Sequence, residues 1–469
     1  MSGGNGLDGT AHGAARPLAG RAPAAAGTDP APAATAAGFV RHDLPGLRVH
    51  VRPDPRFKRV AAVLAWQMPL AAETASPFAL LPRLLRRGTR RHPDLPALER
   101  ALADLYGASL GAGVEKMGDR HLATLSLTWP GGRFVPGAGD EGPGGLVARA
   151  LGLLLEVFAD PYLEGEGFPA ERVAEEREAQ IQRIRALVND KATYAVRHCL
   201  EHLCAGEPYG LSELGDPERL AGLDGDDVLR LHRRVRAVAP LDLFVAGPVE
   251  PAPLLEAVAA AWERVGGGPR EVLALPAAVI RGPRPEPRRV EETLPMEQGW
   301  LVLGLRAPIG FDHPLRPALE MYNGILGGFV HSKLFLNVRE RASLAYSAWS
   351  RLVRGKGLIL AMAGIDPRKR AEAEAIMLRQ MEDIAAGRIS DEELEATRRS
   401  LVERLRAELD QPGALIRAAL EGEVYGHRDD PEGLIRAWQA MGRAEVQEVA
   451  RQVGLDTVYF LHGGPGGEG

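Results

Sequence analysis

The segment Gly327–Tyr346, GGFVHSKLFLNVRERASLAY, sets Arg339 and Tyr346 one heptad apart behind a glycine turn. On a helix running to its end, side chains at that spacing share a face. A guanidinium and a phenol placed so can both donate to a peptide carbonyl, which suits a site that holds a polypeptide. The same letters also fit a surface arginine and a core tyrosine closing an ordinary helix.

Outward from this segment the chain reads as one unit written twice. Phe168 begins FPAERVAEEREAQIQRIRALVND and Ile389 begins ISDEELEATRRSLVERLRAELDQ: a helix start, a long charged amphipathic body and a polar stop in each. Both continue through a second helix to a tyrosine-glycine turn, LEHLCAGEPYG at Leu200–Gly210 and LEGEVYG at Leu420–Gly426. Ser390 and Glu393 have capping-box spacing, and Pro169 opens the first copy. Upstream, PFALLPRLLRRGT from Pro77 answers PALEMYNGILGG from Pro317, and each is preceded by an apolar strand, AAVLAWQMPL or GWLVLGLRAPI. HLATLSLTW and GLILAMAGI supply a further matching strand in each half. The fold predicted is α+β, with two homologous domains, each a mainly antiparallel sheet backed by helices. We place the N-terminal domain at 39–270, a proline-stiffened linker at 271–289 and the C-terminal domain at 290–463. Residues 1–38 and 464–469 read as flexible tails.

Composition narrows the function classes. A chain of 469 residues exceeds one core, and 45% hydrophobic with 25% charged residues is ordinary globular material. A net charge of -5 gives no reason to expect nucleic acid or an anionic membrane as partner. The basic cluster Arg83, Arg86, Arg87, Arg90 and Arg91 reads as a solvated helix end. Cys199 and Cys204, five apart in a predicted helix, diverge, which suits a reducing compartment. The Ala/Gly/Pro-rich start lacks the basic and leucine-rich regions of a signal peptide, and no apolar run is long enough to span a bilayer, so a cytoplasmic location is expected.

The LGG turn, HSKLF, NVRE and SLAYS together resemble the second-domain signature of the insulinase (pitrilysin-type, inverted zincin) peptidase family. The resemblance covers nearly the whole chain from about Gly38 and includes Pro208–Gly210. It implies two halves enclosing a chamber, with Arg339 and Tyr346 binding the substrate backbone opposite zinc. It also implies H-x-x-E-H on the first-domain helix, two imidazoles for zinc and a glutamate base, with a distal glutamate as further ligand. The family's glycine-threonine pair fixes the register on Gly88 and Thr89, so the ligand positions fall on Ala79 and Arg83 and the base position on Pro82. The distal position falls on Arg183. An alanine offers no lone pair, an arginine repels a dication and a proline accepts no proton. Pro82 either kinks this helix or marks its first turn.

The resemblance therefore implies a non-catalytic member with no metal of its own. Its expected partners are a zinc-bearing insulinase-family subunit and a peptide or protein substrate. The wording looks most like the non-catalytic member of a bacterial pair associated with aminopentanol modification of elongation factor P. One motif argues otherwise: His198, Glu201 and His202 spell H-x-x-E-H in HCLEHLC, with Cys199 beside them. That motif lies far beyond the family's position, its repeat mate from Ile416 has no histidine or cysteine to serve as a ligand, and Glu286 is the one carboxylate nominated as a third ligand. A self-sufficient metallopeptidase built on these residues is the alternative, and a peptide-binding scaffold without a proteolytic partner is another. His331 reads as a cap or packed residue, and LDGDD from Leu223 is too short for a calcium loop.

Overall fold

The computed structural model describes residues 36–135, 145–427 and 429–463. The tail expected at 464–469 and most of the one expected at 1–38 lie outside the described residues. Ala36–Gly38 is already structured, a 3-10 turn with Ala37 buried.

The first sheet comprises β1 (Val40–Leu44), β2 (Leu47–Pro53), β3 (Arg59–Pro69), β4 (Ser109–Met117), β5 (Arg120–Pro130) and β6 (Leu241–Gly247), in the order β1-β2-β6-β3-β5-β4. The second comprises β7 (Arg288–Thr293), β8 (Gly299–Arg306), β9 (Ala345–Val353), β10 (Leu358–Ile365) and β11 (Gly454–His462), in the order β7-β11-β8-β10-β9. The parallel pairs are β2 with β6 and β7 with β11, at equivalent places, and every other pairing is antiparallel. The duplication read from the sequence is thus a duplication of topology.

The first half carries helices α1 (Ala72–Leu85), α2 (Leu95–Ala103), α3 (Leu146–Ala159), α4 (Ala170–Ala186), α5 (Lys191–Leu203), α6 (Pro217–Ala221), α7 (Gly225–Val238) and α8 (Pro251–Arg264). The second carries α9 (Arg316–Asn323), α10 (Arg370–Ala385), α11 (Asp391–Leu409), α12 (Pro412–Tyr425), α13 (Pro431–Ala440) and α14 (Arg443–Ala450). Ser390 and Glu393 form the capping box on α11, and LDGDD is the start of α7, where Asp224 and Asp227 cap each other. Pro82 does not open α1. It lies well inside a continuous helix, together with Pro77, and both are buried; the surrounding core offsets the hydrogen bonds that the prolines cannot donate.

Strand alternation sends Leu64 and Trp66 to one face of the first sheet, into a core shared with α1, α3 and α7. Ala65, Phe244 and Ala246 point to the other face, where they meet Leu415, Ala419 and Leu420 of α12 from the second half. The converse holds for the second sheet, whose Val302, Leu360 and Tyr459 pack against Ala195, Cys199 and Leu203 of α5 from the first half. The halves therefore exchange straps: each sheet buries its inner face under a helix of the other.

A buried polar network ties the two halves together. Lys356 Nζ lies 3.0 Å from Asp119 Oδ1 and 3.1 Å from Glu207 Oε2, and donates to the Val279 carbonyl at 2.6 Å. Arg306 donates to Glu207, to the Leu203 carbonyl and to Asp456 Oδ2, the last at 3.1 Å. The stretch expected as a linker belongs to this assembly: Val279 N donates to Asp119 at 2.8 Å and Arg284 N to Asp456 at 3.1 Å. Regular structure resumes at Arg288, just before the expected end of the linker.

Candidate functional site

Three parts of the molecule bear on function: the expected metal position on α1 and α4, the Arg339–Tyr346 segment, and the cleft between the halves. The structure brings the α1 and α4 positions together. Burial disfavours the charged form of Arg83 and the Arg183 guanidinium adds repulsion, with Glu176 partly opposing, so its pKa is lowered. Arg183 donates to Gln180 on its own helix, and Ala79 is buried in the core. The two guanidinia thus repel each other at positions where the resemblance implies zinc ligands, and these residues do not fit the metal. The basic cluster around them is more than a solvated helix end. Arg87 pairs with Glu175 and Glu176, Arg90 lies 3.1 Å from Asp160, and Arg91 lies 3.9 Å from Glu156.

Arg339 and Tyr346 do not share a helix. The chain from Phe335 to Arg341 is a π-helical stretch, it turns through Ser343 at φ 50°, and Tyr346 lies at the start of β9. The heptad reading fails because the helix ends before the phenol, so the two groups are presented by different elements. Tyr346 is 82% exposed, an unusual placement for a large aromatic ring. Arg339 stacks over Phe335, 4.6 Å from the ring centre, with Glu340 3.7 Å away. The preceding Gly324–Gly328 turn is itself π-helical and continues α9. Gly327 is required by close approach: a Cβ there would sit 2.4 Å from Ser350 N on β9. His331 is packed as expected, against Phe329 and 3.1 Å from Thr397 Oγ1.

The His198-Glu201-His202 motif lies on strap α5. Both imidazoles face Tyr459 of the second sheet, with ring centres 6.3 and 6.0 Å away, and His198 also stacks on Tyr194. Both of those phenols donate to Glu292. Burial, and then the Arg288 charge, lower the pKa of His202. The three motif residues do not bring ligand atoms within 4.8 Å of one another, and Glu286 is exposed and joins no such group. Cys199 is buried and free, and burial pushes its thiol well above the usual range. Among the described residues the one set that converges so closely is His50, Asp242 and Glu423, which the sequence did not suggest. Its carboxylates are already engaged: Asp242 accepts from His50 at 2.8 Å and from Arg48, while Glu423 lies between Arg41 and Arg48.

The third part is polar and shared. β4 and β9 are the edge strands of their sheets, each paired on one side among the described residues. Their ends, Glu115–Met117 and Ser350–Val353, line one cleft of about 450 Å³ together with residues of α9, α11 and α12. An edge strand offers a row of free backbone donors and acceptors to an extended peptide. The sequence held no signal for this cleft, since its lining is drawn from segments hundreds of residues apart.

Residues 223–401 match the family described as "Peptidase M16 inactive domain". The chain is 30% identical to "Probable inactive metalloprotease YmfF" of Bacillus subtilis over 90% of this chain and 97% of that protein. Its fold is similar to that of a conserved protein from Enterococcus faecalis V583, with a TM-score of 0.84 and 27% identity over 91% of this chain and 99% of the other. A structure described as a peptidase M16 inactive domain from Pseudomonas fluorescens shares the fold at a TM-score of 0.72 and 17% identity, over 89% of this chain and 96% of that one. With Ala79, Pro82, Arg83 and Arg183 where the metal and its base would be, the chain belongs to the M16, or insulinase, peptidase family as a non-catalytic member.

Proposed function

We propose that this chain is the non-catalytic subunit of a heterodimeric zinc peptidase, cytoplasmic, and that it holds peptide for a zinc-bearing M16 partner. The observation that carries this reading is a contrast within one molecule. The positions at which the family resemblance implies metal carry like charges that repel each other, whereas Tyr346 is exposed and two open strand edges meet at a cleft. Holding an extended substrate in register needs hydrogen-bond donors and no metal, so the work of binding and the work of cutting can sit on separate chains. Zinc and its activated water then belong to the partner. Within this reading we assign the substrate pathway, from the resemblance of NVRE and SLAYS alone, to aminopentanol modification of elongation factor P.

The test is turnover by the assembled complex. A zinc-bearing relative is expected to co-purify at equal amount, and Arg339→Ala or Tyr346→Ala in this chain is expected to lower peptide turnover about tenfold, the loss of one good carbonyl contact, without dissociating the pair. Unchanged turnover in both variants would remove these residues from the site, and persistent absence of a zinc-bearing partner would favour a peptide-binding scaffold. Stoichiometric zinc in the isolated chain, lost in His202→Ala, would instead establish a self-sufficient metallopeptidase.

A further inference from the structure

The cleft between the halves carries a charge imbalance that its own ion pairs leave standing. Arg417 lies 2.7 Å from Glu115 and 3.3 Å from Glu421. Arg354 lies 3.6 Å from Glu320 and 4.0 Å from Glu421, with Glu408 also acting on it. Lys116 Nζ donates to the carbonyls of Tyr209 and Leu211 at 2.7 and 2.9 Å. Two guanidinia in the lining remain: Arg351 and Arg404 are exposed and, among the described residues, have no ion pair. Arg404 is held over the Phe329 ring at 5.2 Å, a contact that orders the group and leaves its donors free.

Glu320 lines the same cleft and is 6% exposed, and neither of its carboxylate oxygens accepts a hydrogen bond. Burial, reinforced by the Asp429 charge, favours its neutral form and outweighs Arg354, Arg316 and Arg404, so the group can donate. The position of the cleft in the repeat is also informative. Setting Phe168 against Ile389 superposes the buried residues Val173, Gln180 and Ile181 of α4 on Leu394, Leu401 and Val402 of α11, and places Arg404 at the mate of Arg183. Setting Gly88 against Gly328 places Asn323, also in the lining, at the mate of Arg83. The cleft is thus the second half's counterpart of the metal position, and it is open where its mate is filled.

We propose that this cleft anchors a carboxylate of the bound peptide, with Arg351 and Arg404 pairing the anion and Glu320 donating to it. The proposal rests on the peptide-holding reading above and names the group that is held. Because β4 and β9 both run into the cleft, a strand laid along either edge can deliver its end there.

Anisotropy of an N-terminally labelled, otherwise uncharged extended peptide on the full chain tests this. The free acid is expected to bind about tenfold tighter than its C-terminal amide, as one charge-assisted hydrogen bond allows. Arg351→Ala and Arg404→Ala, both at exposed positions, should remove most of that difference and leave the amide unaffected, while Glu320→Gln, which keeps a donor, should retain it. An amide carrying one internal glutamate that binds like the acid would keep the clamp and identify a side chain as the source. Equal binding of acid and plain amide, or equal weakening of both by the arginine substitutions, would overturn the carboxylate clamp alone. Absence of binding by any of the peptides would overturn the peptide-holding reading with it.

Discussion

Arg83 and Arg183 stand on intact helices at positions where the family resemblance implies metal ligands. Both are long enough to carry their charge out of the core while their stems pack, so the helices on which they sit remain intact. The arrangement keeps two cations close, a repulsion that Glu176 only partly offsets. Replacing one of them with an acid should therefore stabilise the protein. Arg183→Glu is expected to raise unfolding stability by about 1 kcal/mol at low salt, measured in urea, with the gain shrinking at high salt as the new pair is screened. A lowered midpoint would mean that Arg183 is held by contacts other than the one it makes to Gln180.

At the scale of elements, straps α5 and α12 explain why a zinc-like motif occurs where no zinc-binding geometry forms. A helix laid across a sheet needs an apolar stripe, which Ala195, Cys199 and Leu203 supply on α5, and the half-buried flank of that stripe tolerates polar residues such as His198, Glu201 and His202. Their spacing is that of one helical face, and the neighbouring Tyr194 and Tyr459 occupy that face. The straps should matter most to the sheet of the opposite half. Leu203→Ala on α5 and Leu420→Ala on α12 each empty a buried site and are expected to cost about 2–5 kcal/mol. Hydrogen exchange should accelerate in β8 and β10 for the first and in β3 and β6 for the second. Acceleration confined to the mutated helix's own half would contradict the exchange of straps.

For the whole molecule, the buried network around Lys356 sets how the halves sit. Glu207 is desolvated, which alone would raise its pKa, but Arg306 and Lys356 outweigh that and hold it below its ordinary value of 4.5. A depressed carboxylate contributes stability above pH 4.5, and that contribution is withdrawn as the pH falls toward its folded value. Lys356→Met leaves Asp119 and Glu207 buried without their shared cation, so it is expected to cost about 3–5 kcal/mol at neutral pH. That deficit should narrow as the pH falls through the carboxylate range, because protonation of Glu207, which then keeps Arg306 but not Lys356, removes a charge that Lys356 stabilises in the unaltered protein. Denaturant unfolding of both proteins across pH 3.5–7.5 checks the sign, about a unit below the ordinary value to a few above it. A deficit independent of pH would show that Lys356 acts through packing rather than charge.

Strand alternation, capping pairs and the repeated helix-turn wording fixed two α+β halves from the letters alone, because each signal is carried by neighbours within one element. The chemistry of Ala79, Pro82, Arg83 and Arg183 was likewise legible, since an alanine, a proline and two arginines supply none of the ligands or the base that the family resemblance implies at those positions. Folding alone decided the rest. The sequence spaced Arg339 and Tyr346 as a helical pair, but close packing of Gly327 against Ser350 and the turn at Ser343 put the phenol on a strand. The exchange of straps, and a cleft whose charges come from β4, α9, β9 and α11 together, depend on contacts between segments far apart in the chain. Local pattern carries no record of these contacts, because they exist only once both sheets are buried.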